Sequence, residues 1–300
     1  MKVAAITITY NDGYKFKEWC EYYEEYKYEF YVHIIVDNGS LPDYLQEVKT
    51  YFKDSLIIER KNNGGCTGAF NDGIRKALED EKVEAIMLLG NDIKLKKDSV
   101  TKLYNYLYSD DKLGMVGTIL LKKDSNIIEC YGVNITKYGR KTYCNKNENI
   151  NKVHDSFRIV SYVMGGMNLS KREYYEKVGL QDEKLFMYGD ERDNSIRANK
   201  LGYKLGVTKE AIAWHQHINI KGREFRLPFV CFLIARNHVY LAKKHYSILH
   251  TIVETFYHFF IQTLHFIWKI HKKSIREGYY YHCRGYIAGL RGNMDNTFMH

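Results

Sequence analysis

Proline is almost missing from this chain: Pro42 and Pro228 are the two in 300 residues. No proline-rich or low-complexity linker can be drawn, and no internal repeat is visible. Cysteine is sparse and scattered over Cys20, Cys66, Cys130, Cys144, Cys231 and Cys283. None forms a CxxC pair, which argues against a structural zinc site and for reduced thiols, as in the cytosol. A signal peptide of the usual form is not present, since Met1 is followed by Lys2 and a β-type run, Val3–Ile8. No RNA-binding aromatic motif or zinc-finger spacing occurs, so a nucleic-acid partner is not expected. The glycine-rich stretch Asn62-Asn-Gly-Gly-Cys-Thr-Gly68 is not followed by Gly-Lys-Ser/Thr and lacks GxGxxG spacing. It is neither a P-loop nor a dinucleotide fingerprint.

What is present suits one large domain, or one domain with an appendage. Apolar residues make up 45% of the chain, enough for a sizeable core, and the formal net charge is +9. That charge fits an acidic substrate, nucleic acid or an anionic membrane surface without choosing among them. Strand patterns at Val3–Ile8, Tyr31–Val36, Leu56–Glu59 and Ala85–Leu89 alternate with helix patterns at Phe16–Tyr26, Tyr44–Phe52, Thr67–Leu78 and Ser99–Tyr108. This is a βαβ alternation and predicts a mostly parallel sheet. Met115–Leu121 and Ile159–Val163 read as further strands, and the polar stretch from about 122 to 157 as loop. Helices are expected over Lys171–Val178 and from Asp190 to about Leu201, stopped by Gly202.

At Pro228 the strand signal ends and a helix is expected to start. The division drawn from this is a catalytic domain over 1–226 and a helical appendage over 227–300. Within the appendage, Leu249, Ile252, Val253, Phe256, Phe260, Leu264 and Ile267 share one face. His250, Glu254, His258 and Gln262 form the opposite stripe, and Lys243, Lys244, Lys269, Lys272 and Lys273 flank both. The polar stripe argues against a spanning helix. The apolar face then packs on its own domain, joins a homodimer, or lies in a membrane interface.

Polar groups recur where strands should end, the way open α/β sheets build a ligand crevice. Asp37 in Asp37-Asn-Gly-Ser40 can accept from a nucleobase N–H or a ribose hydroxyl, or simply close an Asx-turn. Asn63 and Gly64 open a helix that carries Asn71, an entry suited to an anion. Asp92 in Gly90-Asn91-Asp92 can hold Mg²⁺ or Mn²⁺ bridging to phosphates, or mark a turn. Asp190, Glu191 and Asp193 cluster at a helix start. Capping by Asp190 and an i,i+4 pair between Asp193 and Arg197 account for those residues. They leave Glu191 unexplained, which makes it the candidate base. His215 and His217 follow the apolar run Ala211–Trp214 and are metal candidates or structural rings.

Together these motifs resemble glycosyltransferase family 2, the inverting nucleotide-sugar transferases with a GT-A fold. Thr9-Tyr10-Asn11 is similar to the family's first-strand motif and Asp37 to its second-strand acid. Asn63-Gly64-Gly65 with Asn71 resembles the glycine-rich segment. Gly90-Asn91-Asp92 stands in place of Asp-x-Asp, with Gly90 where the first acid would be. Gly165-Gly166-Met-Asn168 resembles the acceptor-side turn. Asp190-Glu191 with Arg197 stands where the family has its acidic pair and arginine, and Trp214-His215 matches a late metal histidine. Arg236-Asn237, Tyr240-Leu241 and Ile287–Gly292 resemble the rhamnosyltransferase-like branch.

The resemblance implies an α/β, Rossmann-like nucleotide-diphospho-sugar transferase with a C-terminal helical region. It implies a UDP- or dTDP-linked donor held by Thr9, Tyr10, Asn11, Asp37, Asn63, Gly64, Asn71 and Asn91. Mg²⁺ or Mn²⁺ would sit at Asp92 and His215, with base catalysis by Glu191 or Asp190. Gly165, Gly166, Asn168 and Arg197 would line the acceptor side. A glycan or lipid-linked acceptor in bacterial surface polysaccharide assembly, at the inner face of the plasma membrane, follows by analogy. The alternative is a non-catalytic nucleotide-sugar-binding or scaffold subunit of a glycan assembly complex.

Overall fold

The computed structural model describes residues 1–136, 141–216, 228–267 and 273–296. His217, Lys269 and Lys272 lie outside the described residues. The strands are β1 (Val3–Thr9), β2 (Val32–Asp37), β3 (Leu56–Glu59), β4 (Ala85–Leu89), β5 (Ile93–Leu95), β6 (Leu113–Lys122), β7 (Ile128–Cys130), β8 (Val133–Ile135), β9 (Lys141–Tyr143), β10 (Phe157–Ile159), β11 (Met167–Lys171) and β12 (Lys204–His215). The helices are α1 (Phe16–Tyr26), α2 (Pro42–Tyr51), α3 (Gly65–Leu78), α4 (Ser99–Leu107), α5 (Arg172–Val178), α6 (Asp190–Lys200), α7 (Pro228–His245), α8 (Ile248–Ile267) and α9 (Lys273–Arg291).

The main sheet runs β10-β12-β6-β11-β4-β1-β2-β3, with β5 on β12 and β7 on β6. β1 pairs in parallel with both β2 and β4, β2 with β3, and β6 with β12. β11 enters antiparallel between β4 and β6. The sheet is therefore mixed but mostly parallel, as the alternation of elements required. Side chains alternate across it. Ile34 and Val36 of β2 join the core beneath α3, with Ile6, Ile74 and Ile86. Ile35, between them, packs with Trp19, Val48 and Phe52 on the other face. α3 comes so close to β1 that a Cβ at Gly73 would sit 2.3 Å from Ile6 Cγ2.

Two sequence expectations are corrected. The stretch 122–157 contains β7, β8 and β9, short strands whose polar residues hid the pairing of β7 along β6. The strand expected over Ile159–Val163 lies earlier, at Phe157–Ile159, because those residues pair with Gly206–Thr208 of β12.

The chain separates into two compact units. One comprises Met1–Asn134, Thr142–Gln181 and Asn194–Ile218; the other comprises Ile135–Lys141, Asp182–Asp193 and Asn219–His300. The linear division at residue 227 misses the second pair of segments. Asp182–Asp193 goes with the helices because Asp182 pairs with Lys244 at 2.6 Å and Arg192 with Glu254 at 2.6 Å. α8 is inverted relative to a water-facing helix. Its apolar face points outward, with Leu249 72% and Phe256 73% exposed, while Glu254 is fully buried. Among the described residues of the helical unit, nothing covers that face.

His33 on β2 is buried, its ring between Thr7 Oγ1 at 3.0 Å and Ser55 Oγ at 2.9 Å. Burial pushes the imidazole down to about 3. The folded state keeps it neutral while the unfolded chain protonates it near 6.5, so stability is complete above that value and falls as pH drops toward 3. We expect this ring to make the protein about 2 kcal/mol less stable at pH 5 than at pH 7. Denaturant unfolding of wild type and His33→Gln at both pH values reads the difference; an equal loss in the variant would remove His33 from the account.

Candidate functional site

In the sheet unit, the chain leaves β1, β4 and β12 at one cluster of polar groups. Asp12, just past β1, is its hub. Its Oδ2 accepts from Asn91 Nδ2 at 2.7 Å and from the Tyr10 N–H at 3.3 Å, and its Oδ1 pairs with Lys15 at 3.3 Å. Thr9 Oγ1 hydrogen-bonds Tyr44 and lies 3.4 Å from Asp12. Asn11 takes a left-handed conformation at φ 50, accepts from the Leu41 N–H at 2.8 Å, and its own N–H donates to Ser40 Oγ.

Asp37 is buried, and its Oδ2 accepts from the N–H groups of Gly39 and Ser40 at 3.2 and 3.0 Å. That is the Asx-turn geometry; its Oδ1 is buried with no partner among the described residues. Its neighbour Asn38 ties this turn to the glycine-rich segment. It donates to Asn63 Oδ1 at 2.8 Å and accepts from the Gly64 N–H at 3.0 Å.

Asp92 and His215 come together because His215 ends β12 and pairs across β5 with Ile93. His215 Nε2 is 3.5 Å from Asp92 Oδ2, and its Nδ1 is 3.3 Å from Glu129 Oε1. Burial opposes a charge on this ring, but the hydrogen bonds to Asp92 and Glu129 outweigh it and raise the imidazole to about 9. The place favours a cation. With Nδ1–H held by Glu129, Nε2 faces the same space as the Asp92 carboxylate, which is the arrangement of a carboxylate–histidine metal ligand. Gln216 adds a buried side-chain amide with no partner among the described residues, next to a backbone N–H that donates to Asp92 O at 2.9 Å. Asp92 and His215 fit a divalent ion bound mainly by its other ligands, the habit of Mg²⁺ and Mn²⁺ at phosphate sites.

Gly90 has a structural reason. A Cβ there would lie 2.9 Å from Asp92 Oδ1 and 3.1 Å from Ile93 Cγ1, and its N–H donates to Gly166 O at 2.7 Å. An acid at position 90 has no room unless Asp92 moves. The same bond brings Gly165-Gly166 beside Asn91 and Asp92. Asn168, further along on β11, is buried and donates to Met164 O at 3.2 Å.

In the helical unit, the acid segment is suspended on buried polar contacts. Phe186 and Tyr188 adopt left-handed φ of 65 and 68, strained for such residues. Asn237 Nδ2 donates to Leu185 O, Met187 O and Tyr188 O at 2.8–2.9 Å. Arg236 reaches Lys184 O and Leu185 O. Arg192 pairs with Glu254 at 2.6 Å, both buried, and Asp193 pairs with His245 at 2.7 Å and Lys244 at 2.8 Å. Asp190 is left above the usual carboxylate range, by burial first and by the neighbouring Glu191 charge second. Both influences favour the protonated form of Asp190.

The sequence profile described as glycosyl transferase family 2 matches residues 5–179. The chain belongs to glycosyl transferase family 2. Among family relatives, it is 22% identical over 207 residues to the low-salt glycan biosynthesis hexosyltransferase Agl10 of Haloferax volcanii, covering 68% of this chain and 64% of that one. The chain thus spans a little under two thirds of that relative. Its fold superposes on GalNAc-T7 with UDP, GalNAc and Mn²⁺ at a TM-score of 0.62 and 12% identity, over 81% of this chain and 48% of that one. It superposes on the mannosyltransferase PcManGT of Pyrobaculum calidifontis in complex with GDP-Man and Mn²⁺ at 0.56 and 13%, over 98% and 87%. At such identities the likeness establishes the GT-A fold.

Two residues that the family pattern suggests as ligands are engaged by backbone instead. Asn71 is buried, and its amide exchanges two 2.9 Å hydrogen bonds with the backbone of Gln181. Arg197 donates to Val178 O, to Leu180 O at 2.8 Å and to Asn194, tying α6 to the end of α5. Asp12 and Glu129 went unread in the sequence, and Glu254 was read there only as part of a polar stripe. Asp12 stands next to Thr9-Tyr10-Asn11 and carried a signal; Glu129 and Glu254 reach their partners only through the fold.

Glu254→Ala leaves Arg192 buried without its charge partner and is expected to destabilise the protein by about 3–5 kcal/mol. Replacing both with apolar residues, Arg192→Met with Glu254→Leu, should recover most of that loss. Equilibrium unfolding of the single and double variants checks this.

Proposed function

We propose that this chain transfers a sugar from a nucleotide-diphosphate donor to a hydroxyl acceptor, with inversion at the anomeric carbon. The observation that carries the reading is the cation-favouring pair Asp92–His215, backed by Glu129, at the strand ends of a family 2 glycosyl transferase fold. Donor contacts are assigned to Thr9, Tyr10, Asn11, Asp37, Asn63, Gly64 and Asn91 at the same strand ends. Asn71 and Arg197 are assigned to support, because backbone carbonyls and N–H groups occupy them. A divalent ion bound at Asp92 and His215 would neutralise charge on the departing diphosphate. Glu191 removes the acceptor proton as general base. Asp190, beside it in the acid pair, is the alternative base. Arg192, Asp193 and Asn237 fix the turn from which Glu191 projects.

The relative and the superposed structures carry UDP, GDP-Man and hexosyl names, which supports a nucleotide-linked hexose as well as the rhamnosyl donor suggested by the C-terminal motifs. The acceptor is assigned to a growing surface glycan or its lipid-linked precursor on the cytoplasmic side. A thermal-shift panel of UDP-, dTDP- and GDP-sugars with and without Mn²⁺ identifies the donor, since a ligand that binds only the native state raises the melting temperature.

Glu191→Gln is expected to lower turnover on the order of 10²-fold or more while leaving donor binding intact. Retained activity in Glu191→Gln together with a dead Asp190→Asn would move the base one residue back. For the metal, calorimetric titration of Mn²⁺ is expected to show binding abolished in Asp92→Ala and weakened in His215→Ala. Glu129→Gln is expected to weaken it about 10–100-fold, because the ring is no longer oriented. Unchanged Mn²⁺ affinity in Asp92→Ala would return Asp92 to a turn residue.

A further inference from the structure

Among the described residues, every exposed side chain of α8 is apolar or aromatic. Leu249, Ile252, Phe256, Phe260, Leu264 and Ile267 run along the outer face and are 72, 51, 73, 59, 49 and 53% exposed. The charged side chain of this helix, Glu254, points inward to Arg192 and His250. A helix resting against water carries the opposite pattern. The stripe extends over 20 residues, about 30 Å, far more contiguous apolar surface than a monomer ordinarily exposes. Among the described residues no helix is long and apolar enough to cross a membrane.

We propose that the outer face of α8 lies in the interface of an anionic lipid bilayer, parallel to its plane. The charge pattern selects this occupant. Lys243 precedes the helix, and Lys273 and Arg276 follow it in α9, where Glu277 is also exposed; Lys244 is already paired with Asp182 and Asp193, and no acid is exposed along α8 itself. A second copy packed along this stripe would bring cationic ends against cationic ends in either orientation. An anionic leaflet meets both the apolar stripe and the flanking cations. The inward polar contacts of α8 make the arrangement self-consistent: Glu254 anchors the helix from beneath and leaves its apolar side for lipid. Because none of the exposed residues of this face is assigned to catalysis, the proposal stands whether or not the transfer reading does.

The test is flotation of the full chain with vesicles of phosphatidylcholine alone and of phosphatidylcholine with phosphatidylglycerol, at low and high salt. Phe256→Glu with Phe260→Glu is the main variant and Ile252→Glu with Leu264→Glu the second; all four sites are exposed, and an unchanged melting temperature confirms the fold. The expected result is binding to the anionic vesicles, at least tenfold weaker at high salt and at least tenfold weaker in either variant. No binding of wild type to either vesicle overturns the proposal. So does equal binding by both folded variants. A dimer in light scattering that both variants dissociate, with no vesicle binding, would assign the face to a second copy.

Discussion

The candidate base depends on a set of buried polar contacts made by helices far along the chain. The turn leading into Asp190-Glu191 contains two non-glycine residues in left-handed conformation, Phe186 and Tyr188. Such a turn is unfavourable by itself. It persists because one amide, that of Asn237, donates to the carbonyls of Leu185, Met187 and Tyr188, and because Arg192 and Asp193 are each paired with residues of α7 or α8. A half-satisfied network of this kind would cost more than an apolar core. The carbonyls of Lys184, Leu185, Met187 and Tyr188 accept from Arg236 or Asn237, which explains why this dipeptide sits in the middle of a helix otherwise built for packing.

The strand-end cluster of the sheet unit follows a different principle. There the sheet itself supplies position. β1, β4 and β12 bring Thr9, Asn91, Asp92 and His215 to neighbouring chain exits, and short-range hydrogen bonds from Asp12, Asn38 and Glu129 fix their orientation. The departure at Gly90 belongs to this geometry. A side chain at position 90 would crowd Asp92 and Ile93, and the Asp92 carboxylate lies beside a histidine whose ring is oriented from behind by Glu129. A site with one acid and one oriented imidazole favours an ion whose other ligands come with the substrate.

α8 shows how a correct periodicity can support the wrong orientation. The apolar and polar stripes are as the sequence draws them, but an amphipathic pattern does not say which side meets the protein. Burial of Arg192 decided it. An interior arginine needs a carboxylate, Glu254 supplies one, and His250 follows on the same stripe. The apolar face is then directed outward by default.

The sequence by itself determined the alternation of strands and helices, the mostly parallel character of the sheet, the helix starts at Asp190 and Pro228, and the family. These depend on periodicity, on proline and capping chemistry, and on short motifs, all of which are local. It also placed Asp37, Asp92, Glu191 and His215 at element ends. Only the tertiary structure decided what those residues touch. Asn71 and Arg197 became supports because Gln181 and the end of α5 fold back onto them. Glu129 joined His215 because β7 pairs along β6 next to the end of β12. Asp182–Asp193 went to the helical unit because Lys244, Asn237 and Glu254 hold it there. Each of these is a contact between residues distant in sequence, set by the register of strands and the rotation of helices, and neither quantity is written in any local stretch of the chain.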